Sequence, residues 1–388
     1  MPSKILFVKT DSFSNINPAV FKILETNFPE YEIDIVDAWK IIKKDTSAHH
    51  FLINIYFFIK EYGVELISGH KKWKERSQWY FATSYISNLV SKKIRKLCKN
   101  KDYKFSFQTQ SLFNGKIENI PNYIYTDHTT QTNLYYPDID ARQYMRSKSF
   151  ITKSEAKAYH EATMIFTFGS LVAHSLFVQY HIPKEKTLVV YAGSNVKYDT
   201  SAIPNLKKYL LKNILFVGVE WERKGGPILV EIFKKVLEKH PDASLTIVGC
   251  SPKNISLPNC SIIGKIPVEQ MYPYYNSASI FCLPTLREPF GIVLVEAMNY
   301  RLPVISNNIG SIPDLVQNGY NGYLIDNNIN EYTNAICHLF DSPSLCMEMG
   351  ENGYCYAQSK FKWEIVGQSI KKGIDESLLK SEQALTYQ

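Results

Sequence analysis

Short apolar runs alternate along this chain with longer stretches whose apolar residues recur every three or four positions, a pattern of strands separated by helices. "KILFVKT" (4–10) is an apolar run closed by polar residues and predicts a buried strand. A helix-like stretch follows at 17–27, and "YEIDIVDA" (31–38) alternates like a second strand. Residues 39–115 read as mostly helical, aromatic-rich and basic. "NYIYTDHTT" (122–130) returns to strand, "SEAKAYHEATMIFTFGS" predicts a helix and then a strand, "LVAHSLFVQYHI" a helix, and "TLVVYAGSN" (187–195) another strand. A polar, proline-containing stretch to about 209 reads as a linker. Beyond it the alternation restarts: "NILFVG" strand, "GGPILVEIFKKVLEKHP" helix, "ASLTIVG" strand, "CSIIGKI" strand, "VEQMYPYYNSA" helix, "SIFCLPT" strand, "GIVLVEAMNYR" helix and "LPVISN" strand.

Strands that alternate with helices of ten or more residues predict an α/β protein with parallel sheets covered on both faces. The restart after a linker predicts two Rossmann-like domains facing each other, at 1–200 and 210–365, with a tail at 366–388. A length of 388 residues agrees, since one hydrophobic core seldom serves so long a chain. Ligands of such sheets bind outside the carboxyl ends of the strands, so the strand-to-helix turns are where chemistry is expected.

Composition adds three constraints. Seven cysteines without a C-x-x-C pair or metal-ligand spacing read as free thiols of a reducing compartment. The longest apolar tract near the N-terminus, "FLINIYFFI" (51–59), has about half the length a bilayer-crossing helix needs, and no signal-peptide layout precedes the strand at Lys4. A cytoplasmic protein is expected. The formal charge is +7, and the excess of cations concentrates between Lys40 and Lys116, as in "HKKWKERSQWYF" and "SKKIRKLCKNKDYK". That basic segment calls for an anionic partner or for a solvated helical face over a buried aromatic one. Nucleic acid is not expected, since no recognition motif accompanies the charge.

Two turns carry candidate chemistry. "VGVEWERKGGP" (217–227) follows a strand and leads into a helix. Gly218, Gly225 and Gly226 allow close backbone approach, and Arg223 and Lys224 set two cations beside a helix N-terminus, a setting suited to phosphate; the alternative on this stretch alone is a solvated charged turn. The spacing is neither that of G-x-G-x-x-G nor that of a P-loop. In "REPFGIVLVEAM" (287–298), Pro289-Phe290-Gly291 should end a loop and start a helix whose first N–H groups offer a second phosphate contact. Glu296 then lies more than one turn inside that helix among apolar neighbours, and a buried carboxylate needs partners. Paired ribose hydroxyls would serve; the alternative is a helix charge facing solvent.

These residues resemble the family 4 glycosyltransferases, retaining enzymes of the GT-B fold. "REPFGIVLVEAM" fits their E-x7-E signature, with "FVGVEWERKGG" ahead of it, "YNSASIFCLPT" before it and "LPVISNNIGSIPDLVQNGYNGYLID" after it. The resemblance runs from about 155 to 330 and more weakly to Trp363, where such enzymes send a last helix back onto the N-terminal domain. It implies two facing Rossmann-like domains with an interdomain cleft, the second binding a nucleotide-diphosphate sugar, UDP- or GDP-linked, and the first serving the acceptor. By position, Arg223 and Lys224 would hold the diphosphate beside Gly218. Glu296 would bind the ribose, and Glu288 the donor sugar. The N–H groups after Phe290, at Gly291 and Ile292, would complete the phosphate site. Gly264 to Ile266 would meet the base through main chain, and His128 would lie near the donor sugar and acceptor. No metal and no cofactor are expected, the protein's cations stabilising the departing diphosphate.

The chain departs from the family pattern at three places. "TDSFSNINP" replaces a glycine-rich loop after the first strand, leaving contacts at Asp11 to Asn15 open; Val219 stands where arginine is common; and Arg301 replaces a common glycine, a packing difference without catalytic consequence. In the basic segment 40–116, Trp73, Trp79, Tyr80 and Phe81 among lysines would suit an anionic membrane at the inner face, holding a lipid-linked acceptor. The expected function is hexosyl transfer to a hydroxyl acceptor, a glycan or lipid-linked glycan, in cell-surface polysaccharide or glycolipid assembly. The alternatives are a sugar-nucleotide-binding protein without turnover and a GT-B synthase with a small soluble acceptor.

Overall fold

The computed structural model describes residues 4–10, 15–44, 47–67, 80–81, 83–136, 139, 141–198, 205–253 and 255–386. The chain forms two compact units, Met1–Val190 with Gly367–Gln388, and Tyr191–Val366.

The first unit is built on a six-stranded sheet in the order β2-β1-β3-β4-β5-β6. The strands are β1 Lys4–Lys9, β2 Glu32–Asp37, β3 Tyr103–Thr109, β4 Asn122–Thr126, β5 Met164–Thr167 and β6 Thr187–Val189. Every neighbouring pair is parallel, and both faces of the central strands are covered, which is why they read as continuous apolar runs.

β3 corrects the expectation that 39–115 is mostly helical. Helices do fill Ala38–Lys44, Ala48–Ile67 and Ser84–Cys98. "YKFSFQT", however, is a central strand between β1 and β4. Its period is two: Tyr103, Phe105 and Phe107 are buried, Lys104 is half-buried, and Ser106 and Gln108 are buried with partners. Ser106 Oγ donates to Asn122 Oδ1 at 2.8 Å, and Gln108 spans Phe113 O (2.9 Å) and the N–H of Gly115 (2.8 Å).

The helix Trp363–Thr386 contributes most of its length to this unit. Ile370 and Ile374 are fully buried, and Gly373 lies so close to Phe166 that a Cβ there would meet the ring at 2.8 Å. Ser377 and Tyr123 share a hydrogen bond, and Lys371 lies 4.5 Å over the ring of Phe28.

The second unit holds the sheet β12-β11-β10-β7-β8-β9, again parallel throughout. Its strands are β7 Asn213–Val217, β8 Ser244–Val248, β9 Cys260–Gly264, β10 Ile280–Leu283, β11 Val304–Asn307 and β12 Gly322–Ile325. Renumbered within the unit this is the doubly wound order 3-2-1-4-5-6. The strand order reverses between β7 and β10, so the crevice for a ligand opens at the carboxyl ends of those two strands.

Candidate functional site

Both turns singled out in the sequence leave that reversal point. After β7 the chain runs through Gly218 into a tight turn, where Lys224 N–H bonds Glu220 O at 2.9 Å and Gly226 N–H bonds Trp221 O at 2.9 Å. Gly225 then caps the helix Gly226–Lys239 with φ +76°, and a Cβ there would lie 1.7 Å from the carbonyl oxygen of Pro284. Only glycine permits this turn to press against the end of β10. Gly218 is less constrained: a Cβ there would meet Lys224 Cγ at 3.0 Å, a tight contact with a side chain that can shift.

The loop after β10 is zipped to that turn by its main chain. Leu286 N–H bonds Arg223 O at 2.9 Å, Thr285 Oγ donates to the same oxygen at 3.2 Å, and Arg223 Nη1 donates to Arg287 O at 2.7 Å. Arg223 also pairs with Glu220. Across the seam Lys224 Nζ pairs with Glu288 Oε2, both side chains nearly buried at 12 % and 8 % exposure. Two charges withdrawn from water in this way are costly unless they compensate each other; the pair is therefore a preformed, charge-balanced element of the crevice.

Pro289 O accepts from Ser311 N–H at 3.2 Å, and Phe290 packs against Tyr191 and Phe361. Gly291, at φ +100°, turns the chain into the helix Ile292–Asn299. Glu296 is one turn inside it and only 5 % exposed, so it is not a solvent-facing helix charge. Its oxygens accept from Tyr275 Oη at 2.8 Å and from Asn195 N–H at 3.3 Å. Burial lifts its carboxyl to about 7, against the lowering effect of those donors.

Arg223, Lys224 and Glu288 are thus brought together with Gly218, Phe290, Gly291 and Ile292 at the ends of β7 and β10. Glu296 belongs to the same loop and helix but is engaged by Tyr275 and Asn195. Gly264 ends β9 at φ +80°, where its carbonyl takes Gly249 N–H at 2.8 Å; Ile266, two residues on, is half-buried. Val219 is 64 % exposed, and Arg223 supplies the second cation of the turn.

His128 belongs to the first unit, beyond the end of β4. Its Nδ1 lies 2.7 Å from Thr132 Oγ1 and its Nε2 2.8 Å from Asn133 Nδ2. Thr132 Oγ1 donates to Thr129 O at 2.6 Å, so it can only accept from the ring. His128 therefore carries its proton on Nδ1 and presents the Nε2 lone pair to Asn133. Desolvation lowers its pKa to about 4, so the ring is neutral near pH 7.

Asp11 to Ser14, Trp73 and Trp79 lie outside the described residues. Tyr80 and Phe81 are half-buried, and Phe81 packs on Trp39 against the core. The expectation of a metal-free site has a counterweight in the sequence: Asp138-Ile139-Asp140 is an Asp-x-Asp triplet, and both aspartates lie outside the described residues. Tyr275 and Asn195 escaped the sequence reading because nothing in their local pattern points to Glu296. Thr132 and Asn133 carried a signal, polar side chains four and five positions after a histidine.

Residues 203–355 match the family "Glycosyl transferases group 1". An uncharacterized glycosyltransferase of Haemophilus influenzae is 29% identical over 178 residues, 43% of this chain and 50% of that protein. The capsular polysaccharide biosynthesis glycosyltransferase CapM of Staphylococcus aureus is 26% identical over 243 residues, 57% of this chain and 63% of that one. The chain thus spans about half to two thirds of the length of these relatives. In fold, Anabaena HepE, solved in complex with UDP, superposes with a TM-score of 0.65 at 15% identity over 96% of this chain and 100% of that one. Over residues 203–355 the chain is similar to the group 1 glycosyltransferases, and over nearly its whole length it shares the GT-B fold of HepE.

Proposed function

We propose that this protein is a retaining glycosyltransferase that moves a hexosyl unit from a nucleotide-diphosphate sugar to a hydroxyl acceptor in cell-surface polysaccharide or glycolipid assembly. The observation that carries the reading is the Lys224–Glu288 pair, held nearly buried where the strand order of the second unit reverses. A diphosphate arriving there competes with Glu288 for Lys224. As the ammonium turns to the phosphate oxygens, with Arg223 beside it, the carboxylate is released to accept from hydroxyls of the sugar. In the transfer the acceptor oxygen bonds to the anomeric carbon, the bond from that carbon to the diphosphate oxygen breaks, and the acceptor proton passes to the leaving phosphate. The charge that grows on the leaving group falls where Lys224 and Arg223 are fixed, and preorganised charge of this kind lowers the barrier most. Glu296 is assigned to the ribose, Gly264 and Ile266 to the base, the N–H groups of Gly291 and Ile292 to phosphate, and His128 to the sugar and acceptor. The first unit is assigned to the acceptor and the second to the donor.

Lys224→Ala should lower kcat by about 10²–10³-fold, a larger effect than its loss of stability, which comes from leaving Glu288 nearly buried without its partner. Full turnover in that variant overturns the reading. The donor can be found by thermal shift against UDP-, GDP- and ADP-sugars, since a ligand at a hundred times its Kd adds about 2.7 kcal/mol of stability. Turnover with EDTA and with added Mn²⁺ decides whether the reaction runs on the protein's cations alone.

The acceptor is assigned to an anionic membrane surface. On the helix Ala48–Ile67, Phe51, Leu52, Tyr56 and Ile59 are each more than half exposed, and Lys60 lies over the ring of Tyr56. No helix among the described residues is long and apolar enough to cross a membrane. Flotation with vesicles containing phosphatidylglycerol, compared with neutral vesicles and with high salt, tests the contact; equal recovery in all three rejects it.

A further inference from the structure

Outside the crevice, Glu155 is a heavily engaged ionisable group among the described residues of the first unit. It sits in the helix Ala141–Glu161 and is 6% exposed. Four donors converge on it. Ser111 Oγ reaches Oε1 at 2.9 Å and Tyr159 Oη reaches the same oxygen at 3.2 Å, while Thr130 N–H reaches Oε2 at 2.9 Å and Tyr180 Oη donates to it as well. Ser111 follows β3, Thr130 follows β4, Tyr159 is one turn along the same helix, and Tyr180 follows the helix Ser170–Val178. Each can present a hydrogen, the one on Tyr159 being shared among Glu155, Ser111 Oγ and the His128 carbonyl, and none is a cation. A carboxylate, which only accepts, fits this set, whereas an apolar or amide side chain would leave buried hydroxyls unpaired.

Two of these bonds bear on the segment that carries His128. The bond from Thr130 N–H fixes its backbone directly. Tyr159 Oη also lies 2.9 Å from Ser111 Oγ and 3.4 Å from the carbonyl oxygen of His128. That carbonyl takes Thr126 Oγ1 at 2.8 Å, and Thr129 Oγ1 is tied to Ser175 Oγ at 2.7 Å. The segment from His128 to Thr130 is therefore held by the buried carboxylate through Thr130 N–H, with the Tyr159 hydroxyl beside the His128 carbonyl, while Thr132 and Asn133 orient the ring.

We infer that Glu155 is a positioning residue for His128: its carboxylate gathers Thr130 N–H, Ser111, Tyr159 and Tyr180 so that the imidazole is held as the Nδ1–H tautomer with Nε2 free to take a substrate hydroxyl in place of Asn133. The functional part rests on the assignment of His128 to the substrate. The positional part does not.

The experiment reads the ring itself. In full-length protein labelled with 15N-histidine, His128 is identified by its loss in His128→Gln, and its two nitrogen shifts are followed with pH. The other titratable groups around it are Asp127, adjacent in the chain, Tyr159, and, through Thr130, Glu155 and Tyr180. In Glu155→Gln the separation of the two nitrogen shifts should shrink toward that of mixed tautomers. The titration midpoint should change as well, loss of the anion lowering it and water admitted to the ring raising it, and Glu155→Asp should recover part of both changes. Where Glu155→Gln does not fold, Tyr180→Phe, which removes one donor of four, should shift the same signals in the same direction by less. Unchanged shifts and midpoint in whichever of these two variants folds reduce Glu155 to a core residue and overturn the inference. If a donor has been found, kcat should fall at least tenfold in Glu155→Gln with the donor KM within twofold. If wild-type protein turns over no donor, the functional reading fails, and the nitrogen shifts still decide the positional claim.

Discussion

Burial lifts the Glu296 carboxyl from the ordinary glutamate range to about 7, and this sets two pH trends of opposite sign. A group whose folded pKa is raised binds protons more tightly in the native state, so its contribution to stability is full below about 4.5 and is lost as pH rises through 7. Two ribose hydroxyls, in contrast, need the ionised carboxylate as acceptor. Between pH 5.5 and 8.5 the stability of wild type relative to Glu296→Gln should fall while UDP affinity of wild type rises several-fold, measured by denaturation and calorimetry. A flat affinity in wild type, equal to that of the variant, removes Glu296 from the ribose site. Arg301 also acquires a reason at this scale. Its φ of +56° is left-handed, the conformation that makes glycine common at such a position. The strain of about 1–2 kcal/mol is offset by a bond to Glu351 at 2.7 Å and by stacking 3.8 Å over Tyr354.

The turn Gly218–Gly226 is the element on which the crevice depends, because it places Arg223 and Lys224 by pressing Gly225 against Pro284. Gly225→Ala adds a Cβ where a carbonyl oxygen already lies and keeps a left-handed φ, so it should cost about 2–5 kcal/mol. Donor affinity should drop at least tenfold, because the turn must back away from β10. Urea denaturation and a donor titration measure both, and a variant as stable and as tight as wild type contradicts the geometry. Elements of this unit were legible in the sequence because β7, β8 and β10 are mostly apolar runs followed by glycine or proline. β3 was not, because Lys104, Ser106 and Gln108 interleave its aromatics; two of those polar side chains are buried with partners that only the fold supplies. Glu155 was hidden in the same way: "KSEAKAYHE" reads as a solvated helix, and its four donors come from segments far apart in the chain. Lys224 and Glu288, by comparison, announced themselves through spacing and turn chemistry, although their pairing spans 64 positions.

At the scale of the molecule, the second unit is one continuous segment, Tyr191–Val366, whereas the first needs residues from both ends of the chain. The segment 191–366 should therefore fold alone, with a cooperative thermal transition and retained nucleotide affinity. A 1–190 fragment should bind a hydrophobic dye and recover when a 367–386 peptide is added. It lacks Ile370 and Ile374, fully buried in the intact unit and worth about 1.5–3 kcal/mol each; a compact, dye-free fragment 1–190 refutes the dependence. The same division sets a timetable during translation. At about 5–20 residues per second, the bed around Phe166 waits on the order of 10–40 s for the helix that covers it, while the unit made second is already complete. Messages cut short after Val366 would yield a finished second unit tethered to an unfinished first, a product that quality-control machinery would meet as a client.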